Sequence, residues 1–201
     1  MNKKILAFGA HPDDVEFGCV GTLLVLKEKG YDITIIDLTR GEAAKFGASE
    51  RLKEAENASK ILNISRKIFD FGDKKVSLSE ENKSQVKKII KEFDPLFAFA
   101  PYFVDKHSDH VNTGKLVSLF IPTVHYFISD VENSNMGVDI SKFYLKKIEA
   151  MNAHKTQLRP GNKDWLEKRC IDGGEKLGVQ YGELFFTENK IALPSVFRKI
   201  K

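Results

Sequence analysis

Phe8-Gly9-Ala10-His11-Pro12-Asp13-Asp14-Val15-Glu16-Phe17-Gly18 is the stretch that decides the fold class. Ile5, Leu6, Ala7 and Phe8 read as a short buried strand, Gly9 and Pro12 as turn punctuation, and Gly18 to Leu26 as a helix returning over the sheet. A histidine and two adjacent carboxylates therefore crowd the carboxyl end of the first strand, the edge at which open α/β sheets bind ligands. Asp13 and Asp14 would repel each other in a low-dielectric crevice unless a cation or a shared proton intervened, so the stretch predicts a metal.

Downstream, strands and helices alternate. After Lys29-Gly30 ends the first helix, Ile33 to Leu38 forms a second apolar run that leads into Thr39-Arg40-Gly41-Glu42. Ser49 is the expected N-cap of a helix whose buried face is Leu52, Ala55, Ala58, Ser59 and Leu62. A third strand is expected near Lys67 to Phe71, and a helix from Ser79 to Pro95 buries Val86, Ile89, Ile90 and Phe93. A fourth strand, Leu96 to Ala100, delivers Pro101-Tyr102-Phe103-Val104-Asp105-Lys106-His107-Ser108-Asp109-His110. A helix over Val111 to Phe120 and a strand over Val124 to Ile128 come next, then a flexible loop at Asn133 to Gly137. The pattern ends with a long helix from Ser141 to Leu158 closed by Arg159-Pro160-Gly161, a shorter one from Asp164 to Leu177, and an edge strand over Gln180 to Thr187; Pro194 to Lys201 has no assignment. Such alternation predicts one α/β domain over residues 1–201, Rossmann-like, with a mostly parallel sheet and helices on both faces.

Composition narrows the partners. The 201 residues are 42% hydrophobic, enough for one well-filled core, and the net charge of +4 is dispersed as Lys-Lys pairs on helical faces, which argues against nucleic acid. Cys19 and Cys170 belong to no Cys-x-x-Cys pair, as expected of a cytoplasmic protein, and Cys19 reads as packing. The apolar run after Met1-Asn2-Lys3-Lys4 is too short for a signal sequence or membrane span. A homo-oligomer is left open by the surface helices of this fold class.

In a doubly wound sheet with the first strand central, the crevice opens between strands one and four. His11 and Asp14 border it from one side and His107, Asp109 and His110 from the other. Two imidazoles and one carboxylate make the open three-ligand set of catalytic zinc, although iron or another divalent metal accepts the same donors. Zinc lowers the pKa of bound water from about 16 to about 7, and whichever of Asp13 and Asp14 is not a ligand is free to act as general base. A protonated His107, oriented by Asp109, is placed to stabilise an oxyanion or protonate a departing amine. Arg51 follows the second strand-edge loop and is a candidate for holding an anionic or hydroxylated substrate group. His125, inside an apolar strand, reads as a core histidine; His154, at helical spacing from Ala150 and Met151, reads as packing with a substrate contact as the other choice.

At these residues the chain resembles the LmbE/PIG-L family of zinc-dependent N-acetylglucosaminide deacetylases, most closely its short bacillithiol-type branch. The resemblance runs from Ala10-His11-Pro12-Asp13-Asp14-Val15-Glu16-Phe17-Gly18 through Leu38-Thr39-Arg40-Gly41-Glu42, Glu50-Arg51, Ala100-Pro101-Tyr102, Asp105 and His107-Ser108-Asp109-His110 to Ala153-His154-Lys155-Thr156-Gln157. It implies zinc on His11, Asp14 and His110, Asp13 as general base, His107 with Asp109 behind it stabilising the charged intermediate, and Arg51 on the substrate or released acetate. The implied reaction removes an N-acetyl group from an amino-sugar conjugate such as N-acetylglucosaminyl malate, with chitin-derived disaccharides or sugar lipids as other substrates. Val20-Gly21-Thr22 departs from the family's Gly-Gly-Thr, and Ser108 stands where the family has proline. A dinucleotide-binding domain is disfavoured because Gly-x-Gly-x-x-Gly is missing and Asp13 and Asp14 would repel a pyrophosphate. A non-haem iron oxygenase shares the donor types, and a sugar-binding module without catalysis would have no evident need for Asp13.

Overall fold

The computed structural model describes residues 3–127, 132–158, 160–188 and 194–200. Its eight-stranded sheet has the order β3-β2-β1-β4-β5-β7-β6-β8, with β1 Lys4–Gly9, β2 Asp32–Asp37, β3 Ser65–Ile68, β4 Phe97–Pro101, β5 Val124–Phe127, β6 Met136–Asp139, β7 Gly182–Thr187 and β8 Phe197–Lys199. The first five strands pair in parallel and the last three antiparallel. Successive side chains of a strand point to opposite faces, and β1 is apolar throughout because both of its faces are covered. Ile5 and Ala7 enter one core layer, with Val15, Leu23, Leu62 and Met151; Leu6 and Phe8 enter the other, with Val86, Ile89, Leu116 and Val117. The order reverses between β1 and β4, and the cleft described below opens at their carboxyl ends.

The β1 turn is built by its own side chains. Asp14 Oδ2 accepts from the N–H groups of Ala10 (2.8 Å) and His11 (3.0 Å), folding the loop back on itself. Gly9 admits this closure, since a Cβ there would lie 2.9 Å from the His11 carbonyl oxygen. The consequence is a backbone φ of +124° at Asp13, a region that L-residues rarely adopt and that costs on the order of 1–3 kcal/mol.

The expected first helix is two: α1 Asp14–Gly18 and α2 Val20–Glu28, broken at Cys19. Lys147 of α6 (Tyr144–Met151) stabilises the break. Its fully buried ammonium donates to the carbonyls of Glu16 (2.8 Å) and Phe17 (2.9 Å) and pairs with Glu183 (2.8 Å), whose carboxylate accepts from the Gly21 and Thr22 N–H groups. A cation thus meets the carboxyl end of α1 and an anion the amino end of α2, where each terminus has orphan backbone groups. Gly21 makes room, because a Cβ would stand 3.0 Å from Glu183 Oε1. Val20 and Cys19 are fully buried in the core.

The remaining helices are α3 Gly47–Leu62, α4 Glu80–Phe93, α5 Ser108–Ser118 and α7 Asn162–Leu177. Further expectations are corrected, beginning with Ser49, which lies inside α3 rather than capping it. The third strand begins two residues early, at Ser65. The Asn133 to Gly137 loop gives way at Met136 to β6, because Met136 and Val138 alternate into the core and the Asn135 side chain bridges both backbone groups of Thr187. β7 lies inside the sheet rather than at its edge, since β6 and β8 extend beyond it. The long helix from Ser141 is a 3-10 turn (Ser141–Phe143) followed by α6, which stops at Met151. There, Glu54 of α3 captures the Thr156 N–H (2.8 Å) and hydroxyl (2.7 Å) and diverts the chain into turns. The expected strand end at Ile128 and helix stop at Arg159 lie outside the described residues.

Breaking a buried ion pair on one side strands the other charge, so Lys147→Met is expected to lose about 3–5 kcal/mol in urea denaturation, and adding Glu183→Gln to recover part of it. At Asp13, Gly and Ala both delete the carboxylate but only Gly relieves φ. Asp13→Gly is therefore expected to be more stable than Asp13→Ala by about 1 kcal/mol or more, the reverse of their ranking within regular structure; an Ala variant of equal stability would mean that no strain is stored there.

Candidate metal centre and active-site cleft

Three loops at the carboxyl ends of β1, β3 and β4 meet in one place. The β1 turn supplies His11, Asp13 and Asp14; the segment after β3 supplies Asp73; the start of α5 supplies His107, Asp109 and His110. Ring nitrogens of His11, His107 and His110 lie within 4.8 Å of one another, and the His11 and His110 ring centres are 5.6 Å apart. Asp14 bridges two of them, with Oδ1 3.2 Å from His110 Nε2 and Oδ2 3.7 Å from His11 Nδ1. His110 Nδ1 is held in turn by Asp105 at 3.2 Å.

The adjacent carboxylates have separate environments. Asp14 faces the imidazoles, and although burial would raise its pKa, His110 and His11 hold it well below the usual carboxylate range. Asp13 faces Arg51, whose Nη2 is 2.8 Å from Asp13 Oδ1 and also donates to the Pro12 carbonyl. Burial, helped by the Asp14 charge and opposed by Arg51, pushes Asp13 up to about 6. That is a serviceable value for a base working near neutrality. Burial works against the charged forms of His11 and His110 as well, yet Asp14 with Asp73 raises the first to about 9, and Asp14 with Asp105 raises the second to about 11. Protons therefore sit where a divalent cation would compensate the same carboxylates.

His107 is the N-cap of α5 and its Nδ1 accepts from the Asp109 N–H at 3.3 Å. Burial, together with the neighbouring His11 and His110, lowers its pKa, and with Nδ1 accepting, the proton of the neutral ring sits on Nε2. The Asp109 carboxylate, fully buried, is turned elsewhere: Oδ2 lies 3.2 Å from His11 Nε2 and accepts from the Lys74 N–H at 2.7 Å, while Oδ1 has no hydrogen-bond partner. Its link to His107 is thus through the backbone. The imidazoles of His11 and His110 and the Asp14 carboxylate between them form a donor set that fits a divalent cation.

Arg51 lines the cleft, its Nη2 engaged by Asp13 and Pro12, and it lies so close against Gly41 that a Cβ there would fall on its guanidinium. Beneath Asp13, buried Arg66 forks onto both oxygens of Glu16 (2.7 and 2.9 Å) and pairs with Asp37 (3.1 Å), while His154 Nε2 is 3.4 Å from Glu16. His154 is fully buried, as packing predicted, in the turns after α6. His125 is a core histidine, its Nδ1 2.8 Å from the Thr187 hydroxyl and its pKa pushed down to about 3 by burial.

Asp73 and the Glu16–Arg66 fork were missed in the sequence. Asp73 follows Phe71-Gly72 at the carboxyl end of the third strand, and that position was the available signal. The cleft is a cavity of about 730 Å³. Its floor is His11, Asp13, Asp14, His107 and His110, and its rim carries Lys45, Phe46, Lys74, Lys155 and Gln157. Among the described residues, no helix is long and apolar enough to cross a membrane.

Comparison with known proteins places the chain among deacetylase relatives. The chain is 35% identical over 116 residues to YaiS, an uncharacterized deacetylase of Escherichia coli strain K12, in a match covering 54% of this chain and 63% of that protein. It is 25% identical over 185 residues to a probable N-acetyl-alpha-D-glucosaminyl L-malate deacetylase 2 of Bacillus anthracis, covering 77% of this chain and 81% of the relative. The crystal structure of the conserved protein TT1542 from Thermus thermophilus superposes with a TM-score of 0.87 at 27% identity, over 97% of this chain and 98% of the other. Residues 6–121, which hold the floor and every metal-site candidate, match the family described as PIG-L, GlcNAc-PI de-N-acetylase, and the chain belongs to that family of hydrolases acting on acetamide carbon–nitrogen bonds.

Proposed function

We propose that this chain removes the acetyl group from an N-acetylglucosamine conjugate with an acidic aglycone, N-acetylglucosaminyl malate being the model substrate, in the cytoplasm. The observation that carries this reading is the division of labour between neighbouring carboxylates: Asp14 faces two imidazoles, while Asp13, 2.8 Å from Arg51, lines the same cavity without joining them.

His11, Asp14 and His110 would hold the divalent cation, zinc or iron, which supplies Lewis acidity and lowers the pKa of water from about 16 toward 7. Asp13 takes the proton of the attacking water as the new C–O bond forms and returns it to the nitrogen as the amide C–N bond breaks, leaving acetate and a free amine. Arg51 holds Asp13 in position by its ion pair. His107 offers its Nε2–H to the carbonyl oxygen as charge develops there.

The rim favours an acidic aglycone over a neutral one. Lys45, Lys74 and Lys155 come from three different loops, and among the described residues none has a carboxylate within ion-pair distance. Phe46, 56% exposed beside them, offers a flat apolar face to a sugar ring. A neutral chitin-derived disaccharide would leave the three ammonium groups without a counter-charge.

Asp13→Asn is expected to keep its metal content and lose about 100-fold or more in acetate release from N-acetylglucosaminyl malate; a parental rate would remove Asp13 from the role of base. Replacing Lys45, Lys74 and Lys155 together by alanine is expected to raise KM for the malate conjugate, less so at high salt, and to leave KM for neutral N,N'-diacetylchitobiose unchanged. Equal changes for both substrates would show that the rim does not read charge.

A further inference from the structure

We infer that Asp73 and Asp109 are positioning residues that clamp the His11 ring with its proton on Nε2, so that Nδ1 is presented to the cation. The inference rests on the reading of His11, Asp14 and His110 as the cation's holders. His11 Nε2 lies 3.1 Å from Asp73 Oδ1 and 3.2 Å from Asp109 Oδ2. An ionised carboxylate only accepts, so a ring nitrogen facing two of them carries the hydrogen, and in the neutral ring the lone pair is left on the other nitrogen. That other nitrogen, Nδ1, is the one beside Asp14.

The clamp is itself fixed by the loop after β2 and by the backbone of Asp73's own loop. Asp73 Oδ2 accepts from the Ala43 N–H at 3.0 Å, the Asp73 N–H donates to Glu42 at 2.7 Å, and the Lys74 N–H donates to Asp109 at 2.7 Å. Lys74 reaches Asp109 with a left-handed backbone, φ +64°, in the turn that Gly72 opens to the Lys75 N–H. His11, Asp73 and Asp109 also lie close enough to share an ion, all three buried. One observation favours the clamp over that alternative: Asp109 is fully buried and does not line the cavity, whereas His11, Asp14 and His110 all do. Ligand histidines whose second nitrogen is tied to a carboxylate are typically held 10–100-fold more tightly on their metal.

The test uses the full chain loaded with Zn²⁺ and labelled with ¹⁵N-histidine. Long-range ¹H–¹⁵N spectra are expected to show His11 protonated on Nε2 with Nδ1 bound to metal; a proton on Nδ1 overturns the inference. Co²⁺ affinity, read by competition with a chromogenic chelator, is expected to fall about 10–100-fold in Asp73→Ala and less in Asp73→Asn, whose amide oxygen still accepts from Nε2. His110→Ala separates this inference from the reading beneath it. Loss of Co²⁺ binding in His110→Ala with parental affinity in Asp73→Ala overturns the clamp alone, whereas parental affinity in His110→Ala overturns the assignment of the holders, and the clamp with it.

Discussion

Asp14 is the side chain on which the architecture of the site depends. One of its oxygens closes the β1 turn through two backbone N–H groups, and the other reaches His110 on an element almost a hundred residues away in sequence. A single carboxylate thereby couples a local turn to a tertiary junction. The closure also forces the strained φ at Asp13 and turns that neighbouring carboxylate toward Arg51. Two adjacent acids that would otherwise repel are thus given opposite surroundings, one among imidazoles and one against a guanidinium, and their proton affinities diverge accordingly.

The layer below the site is unusually ionic for a protein interior. Arg66 holds Glu16 and Asp37, and Lys147 holds Glu183 together with the end of α1. Buried pairs of this kind add little net stability compared with apolar packing, but they impose one arrangement because each partner is costly to leave alone. Glu16 is held well below the usual range, to about 2, by Arg66 and His154 against the effect of burial. Asp37 is pushed up to about 7 by its burial, with Arg66 opposing. The charges beneath Asp13 are therefore unequal members of one network, anchored to β2, β3 and the turns after α6. Glu54 adds a tie from α3 to those turns, which carry Lys155 and Gln157 to the rim.

Much of this was legible in the chain. The run from Ile5 to Gly18 announced a buried strand, a turn and a cluster of ligand-type side chains, and the alternation that followed placed His107 to His110 at the opposite lip of the same crevice. Those inferences rest on local periodicity and on a topological rule that holds for any sheet of this kind. They failed where a distant partner outweighed the local pattern: Met136 and Gly137 look like loop residues until β7 pairs with them, the helix to Leu158 is interrupted by Glu54, and Cys19 divides a helix because Lys147 and Glu183 stabilise two ends there instead of one continuous turn.

The amino-acid sequence by itself determined the periodicities of the parallel half of the sheet, the turn that Asp14 closes, and the residue types gathered at one edge, because each depends on neighbours a few positions away. Tertiary structure alone decided which carboxylate faces which cation, that the carboxylate of Asp109 meets His11 rather than His107, and that Asp73 meets the same ring nitrogen of His11. Hydrogen-bond partners more than sixty residues apart leave no periodic trace in a chain, and only the packed sheet brings them within about 3 Å of one another.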